Sequence, residues 1–244
     1  MIFLPYVKGI PEEIANKAKY MVVSLPSNPV GSIATPGLYE EIVEFAKKYD
    51  ILIIHDNAYS DIIFDGAFGG SFLATPGAKD IGVEFFSLSK SFNVTGARLS
   101  FLVGRPDVIA ALRKLRSQID FGMFLPLQKA AIAALQGPLD SVKDSVRSTR
   151  REEMLSARDF VISDGNFQIG KGTMFVWAKI PGWPHRQHGI LYGTDGKGRR
   201  HRDSGSKLSV PTERATYVSP WYFRRRRSGK QWKRYRKSGI KLNN

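Results

Sequence analysis

The chain has 244 residues, 42% of them apolar, with no cysteine and a formal net charge of +15. That is enough for one large domain or two small ones with a buried core, and the lack of cysteine excludes a disulfide framework, a thiolate metal site and a Cys nucleophile. The charge is lopsided: residues 1–184 carry 20 Lys/Arg against 19 Asp/Glu, while residues 185–244 carry 17 against 3.

The opening MIFLPYVKGIPEE has a short apolar stretch but no basic flank or cleavage site, so it is a poor signal peptide. No apolar run reaches the ~18 residues of a membrane span, and a cytoplasmic protein is the default expectation. Ile10–Lys19 has Pro near its start, acids in its first turn and Lys at its end, which predicts a helix. Tyr20–Leu25 (YMVVSL) is a short apolar run, expected as a buried strand, with PSNPVGS as the turn after it. Leu38–Tyr49 has the apolar period of a helix, and Asp50–His55 (DILIIH) reads as a second buried strand. Two more strands are expected at Gly82–Leu88 and Leu99–Gly104. Helices are expected at Pro106–Ile119, Leu125–Leu135 and Leu139–Val161, followed by a strand, TMFVWAKI, within Phe167–Ile180.

Alternating buried strands and amphipathic helices predict an α/β fold with a partial, doubly wound, mostly parallel sheet, followed by the start of an α+β unit. The expected divisions are residues 1–138 for the first unit, 139–184 for a connecting helix and the start of the second, and 185–244 for a basic tail. In open α/β sheets ligands bind beyond the carboxyl ends of the strands. The segments there hold Asn28, then Asp56 and Tyr59, then Ser87, Ser89 and Lys90, with Arg98 eight residues on. A lysine beside an arginine has its charged form disfavoured, which favours a nucleophilic amine. Ser and Arg can hold a phosphate, and an Asp can pair with a protonated ring nitrogen. Each residue alone has an ordinary explanation as a turn, cap, core or solvated loop residue. Together they supply what a pyridoxal phosphate site needs.

Asn28-Pro29-Val30-Gly31, Asp56-Asn57-Ala58-Tyr59 and Ser87-Leu88-Ser89-Lys90 with Arg98 resemble the motifs of class I/II aminotransferases of pyridoxal phosphate fold type I. The spacings match: 28 residues from Asn28 to Asp56, 34 from Asp56 to Lys90, eight from Lys90 to Arg98. The resemblance runs from the start to about Trp183 and is nearest the branch of LL-diaminopimelate, alanine and aspartate aminotransferases. It implies that Lys90 is the Schiff-base lysine and catalytic base, and that Asp56 keeps the pyridine nitrogen protonated. It further implies that Tyr59 and Asn28 bond the phenolic oxygen, and that Ser87 and Arg98, helped by Ser89, bind the phosphate. It implies amino acid and 2-oxo acid substrates, a role in amino-acid biosynthesis, and a homodimer in the intact family. One departure is Val30, where the family's turn usually has Thr. Family members also carry an N-terminal arm, a Gly-rich phosphate loop and a ring-stacking aromatic ahead of the segment that starts here. Their absence is expected to leave an open apolar sheet face and weaker cofactor affinity.

From Pro184 onward the apolar periodicity fades and Arg, Ser and Gly dominate. A basic nucleic-acid-binding tail, a solvated disordered tail and a shifted reading frame compete to explain it. Back-translating Gln187–Ser206 and reading one base later permits text resembling the family, so a shifted frame is the expectation and a nucleic-acid partner is not expected. The function expected is amino-group transfer. The alternatives are an inactive remnant of such an enzyme, or a binding protein with a basic tail.

Overall fold

A computed structural model describes residues 4–65, 69–161, 166–168, 170–179, 192–194, 200–202 and 215–218. The chain opens with a short helix α1 (Glu12–Ala15), then strand β1 (Tyr20–Ser24), helix α2 (Leu38–Tyr49) and strand β2 (Leu52–Asp56). Helix α3 (Ala78–Ile81) leads into β3 (Gly82–Ser87), which passes directly into α4 (Leu88–Ser91) and then β4 (Ser100–Gly104). Helices α5 (Pro106–Ser117), α6 (Leu125–Gln136) and α7 (Asp140–Val161) follow, then strands β5 (Asn166–Gln168) and β6 (Val176–Lys179).

The main sheet runs in the order β1-β2-β3-β4. The first three strands are parallel, in a register that places Ser24 beside Asp56 and Asp56 beside Phe85. β4 closes the edge antiparallel, with Ser87 opposite Ser100. The sheet is therefore mostly parallel, as the alternation predicts. Neighbours in register share a face. On one face Val23 and Ile53 pack against Ile42, Val43 and Ala46 of α2, with Leu38, Tyr39 and Phe72 completing the core. α2 turns this face inward because its apolar residues recur at helical spacing. It ends at Asp50, whose left-handed backbone (φ 53°) lets its N–H close on the Ala46 carbonyl. The other face is open at β1, where Tyr20 and Val22 are 63% and 61% exposed, and closed at Val83 of β3, which is 2% exposed.

Two expected elements differ from the structure. The helix expected over residues 10–19 is only the four residues of α1. Pairing explains the difference: Lys19 already accepts from Leu52 N–H as the chain enters the sheet, so the helix must unwind before it. The strand expected over residues 173–180 begins at Val176. The residues before it are held elsewhere, since Thr173 N–H donates to Ile62 O and Phe64 N–H donates to Lys171 O. The sequence also did not reveal β5, which pairs antiparallel with β6.

Most of residues 185–244 lie outside the described residues, and with them most of the tail expected to be out of frame. Three short strands there are described. β7 (Tyr192–Thr194) and β8 (Arg200–Arg202) pair with each other, and β9 (Ala215–Val218) pairs antiparallel with β6. Among the described residues no helix is long and apolar enough to cross a membrane.

Candidate active site

Parallel pairing aligns the carboxyl ends of β1, β2 and β3, so the segments after them gather along one edge of the sheet. Asp56 is the last residue of β2 and lies exposed on the open face, its Oδ1 accepting from Ala58 N–H at 3.3 Å. Three residues on, Tyr59 turns inward and is buried with Ile62, Phe64 and Phe175, meeting the Phe175 ring edge to face at 5.7 Å. Asn28, in the loop after β1, donates from Nδ2 to Tyr59 Oη at 3.4 Å. Two residues 31 apart in the chain thus meet at one phenol.

Lys90 sits on α4, half-buried, with its ammonium 5.8 Å from the centre of the Tyr59 ring. Two contacts fix this turn. Ser87 caps it by accepting from Ser89 N–H at 3.2 Å, which leaves the Ser87 hydroxyl hydrogen available to donate. Ser91 donates to the Asp61 carboxylate, tying the Lys90 turn to the loop that carries Tyr59. Ser89 is buried, and its carbonyl accepts from Thr95 Oγ1 at 3.1 Å. Arg98 has a left-handed backbone (φ 53°), is exposed, and uses Nη1 on the Thr95 carbonyl at 3.2 Å. The structure thus brings Asn28, Tyr59 and Lys90 together, sets Asp56 at the strand end three residues before Tyr59, and places Ser87, Ser89 and Arg98 along the turn that carries Lys90.

Beneath Asp56, on the covered face, lies a buried polar cluster that sequence reasoning missed. Glu84 of β3 and His55 of β2 are register partners, both fully buried, with His55 Nδ1 3.4 Å from Glu84 Oε1. At this distance Nδ1 makes no aligned hydrogen bond. Glu84 Oε1 also accepts from Asn57 Nδ2, and Oε2 accepts from Ser71 Oγ at 2.7 Å and Leu73 N–H at 3.1 Å. His55 Nε2 meets Tyr39 Oη at 3.2 Å. A carboxylate inside the apolar run GVEFFSL was the available signal, because a buried charge requires partners.

Burial pushes the Glu84 carboxyl up, but His55, Ser71, Asn57 and the Leu73 N–H together outweigh it and hold its pKa below the ordinary 4.5. Burial first, and the Glu84 charge second, push the Tyr39 phenol up. A carboxyl with a depressed folded-state pKa stabilises the fold above its unfolded value and loses that contribution as pH falls through the folded value. The urea midpoint should therefore be level from neutral pH down to about 4.5 and fall below it, with a shallower fall in Glu84→Gln. An acid limb of equal steepness in both proteins would remove Glu84 as its source.

The sequence of residues 6–183 matches the family model for aminotransferase class I and II. The LL-diaminopimelate aminotransferase of Halothermothrix orenii is 44% identical over 185 residues, covering 73% of this chain and 46% of that protein. The glutamate-pyruvate aminotransferase AlaC of Escherichia coli is 41% identical, covering 68% of this chain and 40% of its own length. Among solved structures, substrate-bound BacF from Bacillus subtilis superposes with a TM-score of 0.72 at 34% identity, covering 76% of this chain and 47% of that one. A probable N-succinyldiaminopimelate aminotransferase from Thermus thermophilus gives 0.67 at 34% identity, covering 71% of this chain and 47% of that one. The chain spans a little under half the length of the relatives it matches. These solved structures are the fold type I aminotransferases whose sheet this chain shares. With a family match across most of its length, the chain belongs to the class I and II aminotransferases, a family of enzymes.

Proposed function

We propose that this chain carries the pyridoxal phosphate site of an aminotransferase, moving an amino group between an amino acid and a 2-oxo acid. The observation that carries it is the meeting of Lys90, Tyr59 and Asn28, with the exposed Asp56 carboxylate at the strand end three residues before Tyr59. The donor set suits the cofactor: an amine, a solvent-facing carboxylate for a ring nitrogen, a phenol and amide for a ring oxygen, and hydroxyls with a guanidinium for a phosphate. When bound, pyridoxal phosphate supplies an electron sink that stabilises negative charge at the substrate's amino carbon.

This chain's residues do the rest. Lys90 would supply the amine that holds the cofactor, and its Nζ is the group that would take the proton from the substrate Cα. Asp56 holds a proton on the ring nitrogen through charge pairing. Asn28 orients the Tyr59 hydroxyl by donating to its oxygen, so that the phenol hydrogen is directed onward. Ser87, Ser89 and Arg98 would hold the phosphate, with Arg98 as its charged donor. A homodimer and a cytoplasmic setting belong to this proposal on family grounds.

The test uses the 244-residue chain. Added pyridoxal phosphate should give a visible absorbance band, and borohydride should fix the cofactor mass to the peptide containing Lys90. A folded chain that gives neither band nor labelled Lys90 does not carry this function.

A further inference from the structure

We propose that Glu84 is a positioning residue for Asp56, gripping the residues on either side of it from the opposite face of the sheet. The importance of Asp56 rests on the cofactor function proposed above; the grip itself does not. Side chains alternate along β2, so His55 points to the covered face and Asp56 to the open one, and Asn57, just past the strand, is buried as His55 is. Glu84 Oε1 meets both flanking residues, His55 through Nδ1 at 3.4 Å and Asn57 through Nδ2. The other oxygen, Oε2, is anchored by Ser71 Oγ at 2.7 Å and Leu73 N–H at 3.1 Å. Asn57 is held further, its Nδ2 to Gly70 O at 3.1 Å and its backbone N–H to Phe85 O at 3.0 Å.

Asp56 itself has little to hold it. Its carboxylate is exposed and accepts from Ala58 N–H at 3.3 Å. A strand-end aspartate of this kind keeps its direction only if the backbone on both sides is fixed. Stability does not by itself call for a carboxylate here, because an apolar residue of similar volume commonly serves a core as well as, or better than, a buried charge with its partners. What the cluster does instead is join the two neighbours of one exposed carboxylate to a single buried charge.

The experiment compares backbone amide exchange in the full chain and in Glu84→Gln, residue by residue. Loss of a charge-assisted grip should speed exchange at Asn57 by about tenfold or more, while Val23 and Ile53 in the core change far less. In the same variant, cofactor binding should weaken by about tenfold with Lys90 still labelled by borohydride, because the amine is intact and the ring partner is misaimed. Equal acceleration at Asn57, Val23 and Ile53 would mean uniform destabilisation and overturn the proposal, as would unchanged exchange at Asn57. Failure of the unsubstituted chain to take up pyridoxal phosphate would strike the cofactor function alone, and the exchange comparison would still decide the grip. If Glu84→Gln does not fold, Ser71→Ala removes one anchor from the same carboxylate. It should then speed Asn57 more than Ile53, and an equal effect overturns the proposal.

Discussion

Lys90→Ala should abolish borohydride labelling and the visible band on adding pyridoxal phosphate, while leaving the fold in place. Lys90 supplies the amine that stands over the Tyr59 ring to which Asn28 donates, and alanine can neither attach the cofactor nor take a proton. Any amino-group transfer by the chain should fall by ~10²–10⁴-fold or more, the size of a lost general base. The fold should survive, since Lys90 is only half-buried and its contact with the Tyr59 ring, at 5.8 Å, is a long cation–π approach. The cap from Ser87 to Ser89 and the tie from Ser91 to Asp61 do not use the Lys90 side chain. Circular dichroism and the urea midpoint should therefore stay close to the parent protein. A labelled peptide elsewhere in the chain, with Lys90→Ala still showing the band, would move the reactive amine away from this turn.

The parts legible in the sequence are those governed by local pattern. YMVVSL, DILIIH and GVEFFSL match the observed strands to within about two residues because each is a short apolar run between turn residues, although β1 is buried on one face only, with Tyr20 and Val22 exposed. The apolar period of Leu38–Tyr49 and its charged termini agree on the ends that the helix has. Residues 10–19 misled for the opposite reason: their start signals are real, but the start of β1 at Tyr20 cuts the helix short. Motif spacing placed Asn28, Asp56, Tyr59 and Lys90 at strand ends, yet said nothing of how they are aimed. Their aiming depends on contacts between residues far apart in the chain, such as Ser91 with Asp61 and Asn57 with Glu84. Glu84 and His55 were hidden because a strand pattern shows that a charge is inward but not which donors surround it.

Those donors depend on Phe72, which makes Phe72→Ala the most damaging core substitution predicted. Phe72 is 1% exposed and stands edge-on to Tyr39, with centroids 5.7 Å apart, and 5.9 Å from the His55 ring. Its neighbours Ser71 and Leu73 are the two anchors of Glu84 Oε2. Truncation removes a whole ring from a packed core, which costs about 3–5 kcal/mol. Against a typical total of about 5–15 kcal/mol, that is a large fraction. The urea midpoint should drop by roughly 1–5 M, given a slope of about 1–3 kcal/mol per M. Gly82 then provides an internal control. A Cβ built there would come within 2.5 Å of Phe72 Cε1, while Ala78 O and Ile53 O stand at 3.3 Å. Gly82→Ala should therefore destabilise the parent protein through collision with the ring and be tolerated better once Phe72 is alanine. The double variant should be more stable than the sum of the single losses by about 0.5–3 kcal/mol. Strict additivity would show that the two residues do not press on each other, and that the ring's contribution is made elsewhere in the core.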